Sequence, residues 1–165
     1  MAFSAATTAI AEEAWLSIQP LLNDEDALKF DNEASTEKFV TATDGTDRVY
    51  QMGKDMGVKM AFGTDMLFDP AAAAKQGKML WKLGRWFTPY EALKMATSTN
   101  AELLELSGQR HPYQKGPLGR ITEGAYADLI VVDGNPLEDL ELVVDADKYF
   151  ALIMKDGVIH KNTLT

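Results

Sequence analysis

Residues 57–65 read Gly-Val-Lys-Met-Ala-Phe-Gly-Thr-Asp, GVKMAFGTD. Val58 to Phe62 form a short, almost wholly apolar run, the pattern of a parallel strand covered on both faces. Upstream, over residues 43–56, the spacing turns helical, with Val49, Met52 and Met56 at i, i+3 and i+7. Gly57 then stands where a helix-ending C′ residue belongs. Helix, glycine, buried strand, glycine, polar residue is the cadence of an α/β unit. The run leads directly into Asp65, a lone carboxylate between Phe62 and Phe68 that is costly to desolvate unless something holds it.

The flanks extend this cadence. "AWLSIQPLL" (14–22) is β-capable, with Pro20 suited to a strand leaving its sheet, and an acidic loop follows. Downstream, Asp69-Pro70 signals a helix with Asp as N-cap and Pro at N1, which presents Met79, Leu80 and Leu83 and ends near Gly84. "TPYE" (88–91) opens the next helix with a capping box. That helix breaks near "TSTN" and resumes through "AELLEL" to Ser107-Gly108. The Gly/Pro-rich stretch at 108–119 marks a boundary. Beyond it "ADLIVVDG" reads as a strand, Asn135-Pro136 as a turn, and "ALIMKDGVIH" as a hairpin closed by Asp156-Gly157. The eight methionines, Trp81 and Trp86 are read as packing residues. The order is βαβα followed by a small β module, dividing at 1–108 and 118–165.

Bulk properties narrow the function. With 165 residues the chain can bury a real core, and with 46% hydrophobic and 25% charged residues it is globular in composition. A net charge of −9 argues against nucleic acid or an anionic membrane as partner. No apolar run approaches a bilayer span, and the first residues lack a basic segment of secretory type, so cytoplasm is the expected compartment. Without cysteine there is no disulfide framework and no thiol nucleophile.

If 58–62 is a parallel strand, Asp65 follows its carboxyl end, the edge where α/β folds bind ligands and (β/α)8 barrels carry catalytic groups. A carboxylate there can hold a metal or take a proton from a metal-bound water; an Asp capping the following helix is the alternative. Gln19 stands near the end of the first strand, where it reaches the same rim or satisfies the strand edge. His111 and His160 share no ligand spacing and are read as surface or packing residues. No phosphate-binding glycine loop and no G-x-S-x-G elbow is present.

Three segments in order resemble the C-terminal part of metal-dependent amidohydrolases, particularly the imidazolonepropionase-like and dipeptidase-like groups. "GVKMAFGTD" (57–65) is similar to the eighth barrel strand, and "TPYEALKMATSTNAELLEL" (88–106) to the helical segment after it. "LGRITEGAYADLIVVDGNPLED" (118–139) with "ALIMKDGVIHKN" (151–162) resembles closing strands of the small β-sandwich flanking the barrel. The Gly-x-Ile-x-x-Gly-x-x-Ala-Asp-Leu pattern at Gly119–Leu129 is the most specific part, and "WLSIQPLL" is similar to the seventh strand.

The resemblance implies an α/β fold: the last two β/α units of a (β/α)8 TIM-type barrel, left incomplete, then strands of a small β-sandwich. It implies that Asp65 is both metal ligand and proton carrier, with Gln19, Met66 and Phe68 at the substrate mouth. The metal, with zinc expected, activates water to hydrolyse a C–N bond in an amide or peptide. The family's His-x-His and the later lysine or carboxylate and histidine ligands are absent, and a full barrel takes about 250 residues. The chain thus resembles a C-terminal fragment that is inactive and metal-free alone, either self-associating or lacking an N-terminal half. Rival readings are a non-catalytic binding or assembly module and one half of a split hydrolase.

Overall fold

The computed structural model describes residues 15–18, 45–64 and 70–164. Strand β1 (Trp15–Ile18) pairs in parallel with β2 (Lys59–Phe62), in register from Trp15 opposite Lys59 to Ile18 opposite Phe62. Helix α1 covers 45–55. It closes as expected at Gly57, whose φ of 65° only glycine adopts cheaply. The Gly57 N–H donates to the Lys54 carbonyl and the Val58 N–H to the Gly53 carbonyl, the paired bonds of a Schellman ending that turns the chain straight into β2.

The face that α1 buries differs from the expected one. Thr46, Tyr50 and Gly53 (i, i+4, i+7) point inward, while Met52 and Met56 are 50% and 71% exposed. Tyr50 decides this: its ring stacks edge-on against Trp86, 4.7 Å between centroids, and tilts against Phe87. Asp47 fixes the same rotation, accepting from Trp86 Nε1 at 2.6 Å and pairing with Arg85 at 3.0 Å. Trp81, expected to pack, is exposed.

The expected single helix after Pro70 is two pieces, α2 (Pro70–Ala73) and α3 (Gln76–Lys82), followed by a 3₁₀ turn at Leu83–Arg85. The capping box forms at α4 (Pro89–Lys94): the Glu91 N–H donates to Thr88 Oγ1, and the Thr88 N–H donates to Glu91 Oε2 at 2.7 Å. The expected break at "TSTN" is instead a π-helical turn, Met95–Thr99, running directly into α5 (Asn100–Glu105). The helix widens there rather than ending, because Thr97 Oγ1 donates to the Leu93 carbonyl and keeps that acceptor partnered.

Beyond the 108–119 stretch lies a three-stranded antiparallel sheet: β3 (Leu129–Val132), β4 (Phe150–Lys155) and β5 (Val158–Asn162), in the order β3-β4-β5. The Asp156-Gly157 turn joins β4 to β5 as expected, with Lys155 opposite Val158 and φ positive at both turn residues. A short helix α6 (Ala146–Tyr149) precedes β4. One apolar cluster draws on both sides of the 108–119 stretch: Tyr50, Leu83, Phe87 and Met95 pack with Leu140 and Val143, and Leu83 is 0% exposed. The fold is therefore mixed α/β. Among the described residues no helix is long and apolar enough to cross a membrane.

Candidate functional site

The carboxyl end of β2 is built from both directions. From the amino side, the ending of α1 at Gly57 aims Val58 into the strand, and Ala61 anchors it, fully buried. From the far side, the Asn100 carboxamide meets the Phe62 backbone at two points. The Phe62 N–H donates to Asn100 Oδ1 at 2.9 Å, and Asn100 Nδ2 donates to the Phe62 carbonyl at 2.9 Å. Both backbone groups of the last strand residue are thus held by one side chain. Gly63 and Thr64 follow, and Asp65 is next in sequence.

Gln19, Asp65, Met66 and Phe68, the candidate site residues, lie outside the described residues, as does the proposed cap Asp69. The described histidines behave as expected. His160 is exposed on β5. His111 is buried against Tyr113, 5.7 Å between ring centroids, with its Nδ1 finding no hydrogen-bond partner among the described residues. Among those residues no group of three or more His, Cys, Asp or Glu is arranged to hold a metal ion.

Sequence reasoning does not single out Asn100. The signal open to it is a polar quartet, Thr97-Ser98-Thr99-Asn100, set between apolar Met95-Ala96 and Ala101. Polar residues flanked this way on a packed helix turn their side chains to buried backbone partners. Thr99 is indeed buried and Asn100 half-buried.

A cleft of about 450 Å³ opens at the other end of β2, lined by Gly57, Val58 and Lys59 with Glu91, Lys94 and Glu102. Its charges are largely engaged. Lys59 pairs with Glu102 at 3.5 Å, Lys54 donates to the Trp86 carbonyl at 2.9 Å over the Phe87 ring, and Glu91 closes the capping box. The Thr88 N–H bond chiefly holds the Glu91 carboxyl below its ordinary range; burial opposes it, and the Thr88 hydroxyl and then Lys54 add smaller lowering effects. The cleft faces the amino end of a parallel strand, opposite the edge where α/β folds gather ligands.

The model of the amidohydrolase family matches residues 2–161. Among solved structures the chain is similar to an amidohydrolase, at 30% identity and a TM-score of 0.71 over 92% of this chain and 35% of that one. It is also similar to a prolidase crystallised with N-methylphosphonate-L-proline, at 31% identity and a TM-score of 0.65 over 79% of this chain and 30% of that one. A third is the A. niger ochratoxinase, at 29% identity and a TM-score of 0.63 over 80% of this chain and 28% of that one. None of the curated proteins compared matches this sequence. The chain spans about a third of the length of the solved structures it resembles. With the family model running across nearly its whole length, the chain belongs to the amidohydrolase family.

Proposed function

We propose that this chain is the C-terminal portion of a metal-dependent amidohydrolase that hydrolyses a C–N bond, with residues 1–108 forming the last two β/α units of a TIM-type barrel and 118–165 part of a small β-sandwich. The observation that carries this reading is the parallel pairing of β1 with β2. It makes the residues after Phe62 the carboxyl end of a parallel sheet, where such folds collect ligands and catalytic groups. Asp65 then contributes one carboxylate to a metal centre and holds the proton in transit, while Gln19, Met66 and Phe68 border the substrate.

The described residues do not themselves fit a metal centre, since no suitable cluster exists among them and the chain carries only two histidines and no cysteine. The remaining ligands come from outside this chain. The similarity to a prolidase supports an amide to proline as the first substrate to assay. Without the rest of a barrel the chain is inactive and self-associates through its exposed apolar faces.

The test joins this chain to the barrel portion of the similar amidohydrolase that it does not span, and assays zinc content and N-acyl-proline hydrolysis. Activity is expected only in the joined protein. Asp65→Asn lowers kcat by roughly 10²–10⁴-fold, the usual range for removing a proton-transfer group. Stoichiometric zinc and turnover by the chain alone would overturn the reading. An Asp65→Asn variant that loses stability but keeps its rate would leave Asp65 as a helix cap in a non-catalytic module.

A further inference from the structure

We propose that Asn100 is a positioning residue for the candidate site: its carboxamide, presented by the π turn, fixes the Phe62 peptide groups and so the direction in which Gly63-Thr64 leave the sheet. This deepens the reading of Asp65 as functional and rests on it for its catalytic consequence, but not for the structural claim.

A single hydrogen bond lets a strand end pivot about it. The two bonds here, both 2.9 Å, fix the Phe62 backbone in position and in rotation. A carboxamide does this with two separate atoms, the oxygen accepting from the N–H while the nitrogen donates to the C=O. Asp offers two acceptors, so its second oxygen would face the Phe62 carbonyl without a proton between them. Leu, of similar shape, offers neither bond.

The presentation is equally specific. Asn100 lies immediately after the π turn at Met95–Thr99, and such turns recur at functional sites because the extra residue re-aims the side chains that follow. The turn is braced from outside by Gly119. A Cβ on Gly119 would lie 2.5 Å from the Thr97 carbonyl oxygen, and its φ of 66° is itself a glycine conformation. The stretch after residue 108 is thereby pressed onto the back of the turn whose front holds β2. The arrangement links three distant parts of the chain: the strand end, the widened helix and the segment leading to the sheet.

The test is residue-resolved amide exchange in this chain, comparing wild type with Asn100→Leu and Asn100→Asp. In Asn100→Leu the amides of Phe62, Gly63 and Thr64 exchange at least about tenfold faster, while those of α1 and β4 change less than about twofold. Asn100→Asp keeps an acceptor for the Phe62 N–H, so Phe62 stays protected while Gly63 and Thr64 speed up. Unchanged exchange at 62–64, or a uniform rise across all elements in both variants, overturns the proposal. In the joined protein, Asn100→Leu lowers kcat by about 10–100-fold with KM within about twofold, as displacement of a reacting group does. An equal kcat for Asn100→Leu and wild type, where Asp65→Asn is inactive, refutes positioning of Asp65. If Asp65→Asn is fully active, the catalytic reading falls and the exchange result alone decides the role of Asn100.

Discussion

The helical half of this chain and its three-stranded sheet are stabilised in different ways. Around Leu83 the helices bury one another, with Tyr50, Phe87, Met95, Leu140 and Val143 in a common cluster. The sheet is tied together by its ladder and turn, yet much of its apolar surface stays open, with cover at Leu152, which is buried, and at Phe150, which packs against the helical cluster. Ile130 and Val158, on the face shared with Ile153, are 52% and 59% exposed, and Leu129 and Ile159 are exposed on the other. Backbone hydrogen bonds can be completed locally, while apolar area needs a second layer. The helical half gains such a layer, in part from Leu140 and Val143, whereas among the described residues the sheet is covered only in part.

The largest break in this contrast is expected at Leu83. Leu83→Ala removes a side chain with no solvent exposure and costs about 2–5 kcal/mol, the range for a leucine whose site cannot collapse. Urea titration of the chain should show that loss, whereas a destabilisation below about 1 kcal/mol would mean that the cluster is not a packed core.

A smaller effect concerns how the sheet holds its turn. Asp128 receives the Lys155 ammonium on Oδ2 and the Asp156 N–H on Oδ1, so the residue before β3 clamps the β4–β5 turn. The Lys155 bond, then the Asp156 bond, hold its carboxyl below the ordinary range. A carboxylate with a depressed folded pKa adds stability that is fully present above its unfolded value, near ~3.9, and is lost as pH falls through the lower folded value. Asp128→Asn is expected to cost about 1 kcal/mol at pH 7 and to remove part of the acid sensitivity below about pH 4. Equal loss of stability between pH 6 and pH 3 in wild type and variant would rule the clamp out.

What is legible in the sequence divides by reach. The Thr88 capping box, the Gly57 ending and the Asp156-Gly157 turn are written within a few neighbouring residues, and each forms as expected. The buried face of α1 is not legible in this way. Tyr50 and Asp47 are oriented by Trp86 and Arg85, tens of residues away, while the methionine stripe suggests burial by spacing alone. Asn100 is hidden for the same reason, since its partner Phe62 is 38 residues distant and is bonded through its backbone, which has no sequence signature. The apolar character of β3 is legible, but what covers it is not.

That cover is where the smallest change in stability is expected and where the contrast is probed most directly. Replacing Ile130 and Val158 together by Thr leaves the ladder intact, since both residues keep their backbone bonds and Thr favours strands. Exposed substitutions of this kind stay within about 0.5 kcal/mol each in stability. Their effect should fall on association instead, because a sheet with Ile130, Val158 and Ile159 about half exposed lowers its free energy by meeting another surface, here a second copy of the chain. Light scattering at high concentration should show self-association of the wild-type chain and a shift toward monomer in the double variant. If both have the same mass, the exposed apolar side chains do not drive association, and the sheet is stable in water with the partial cover it has.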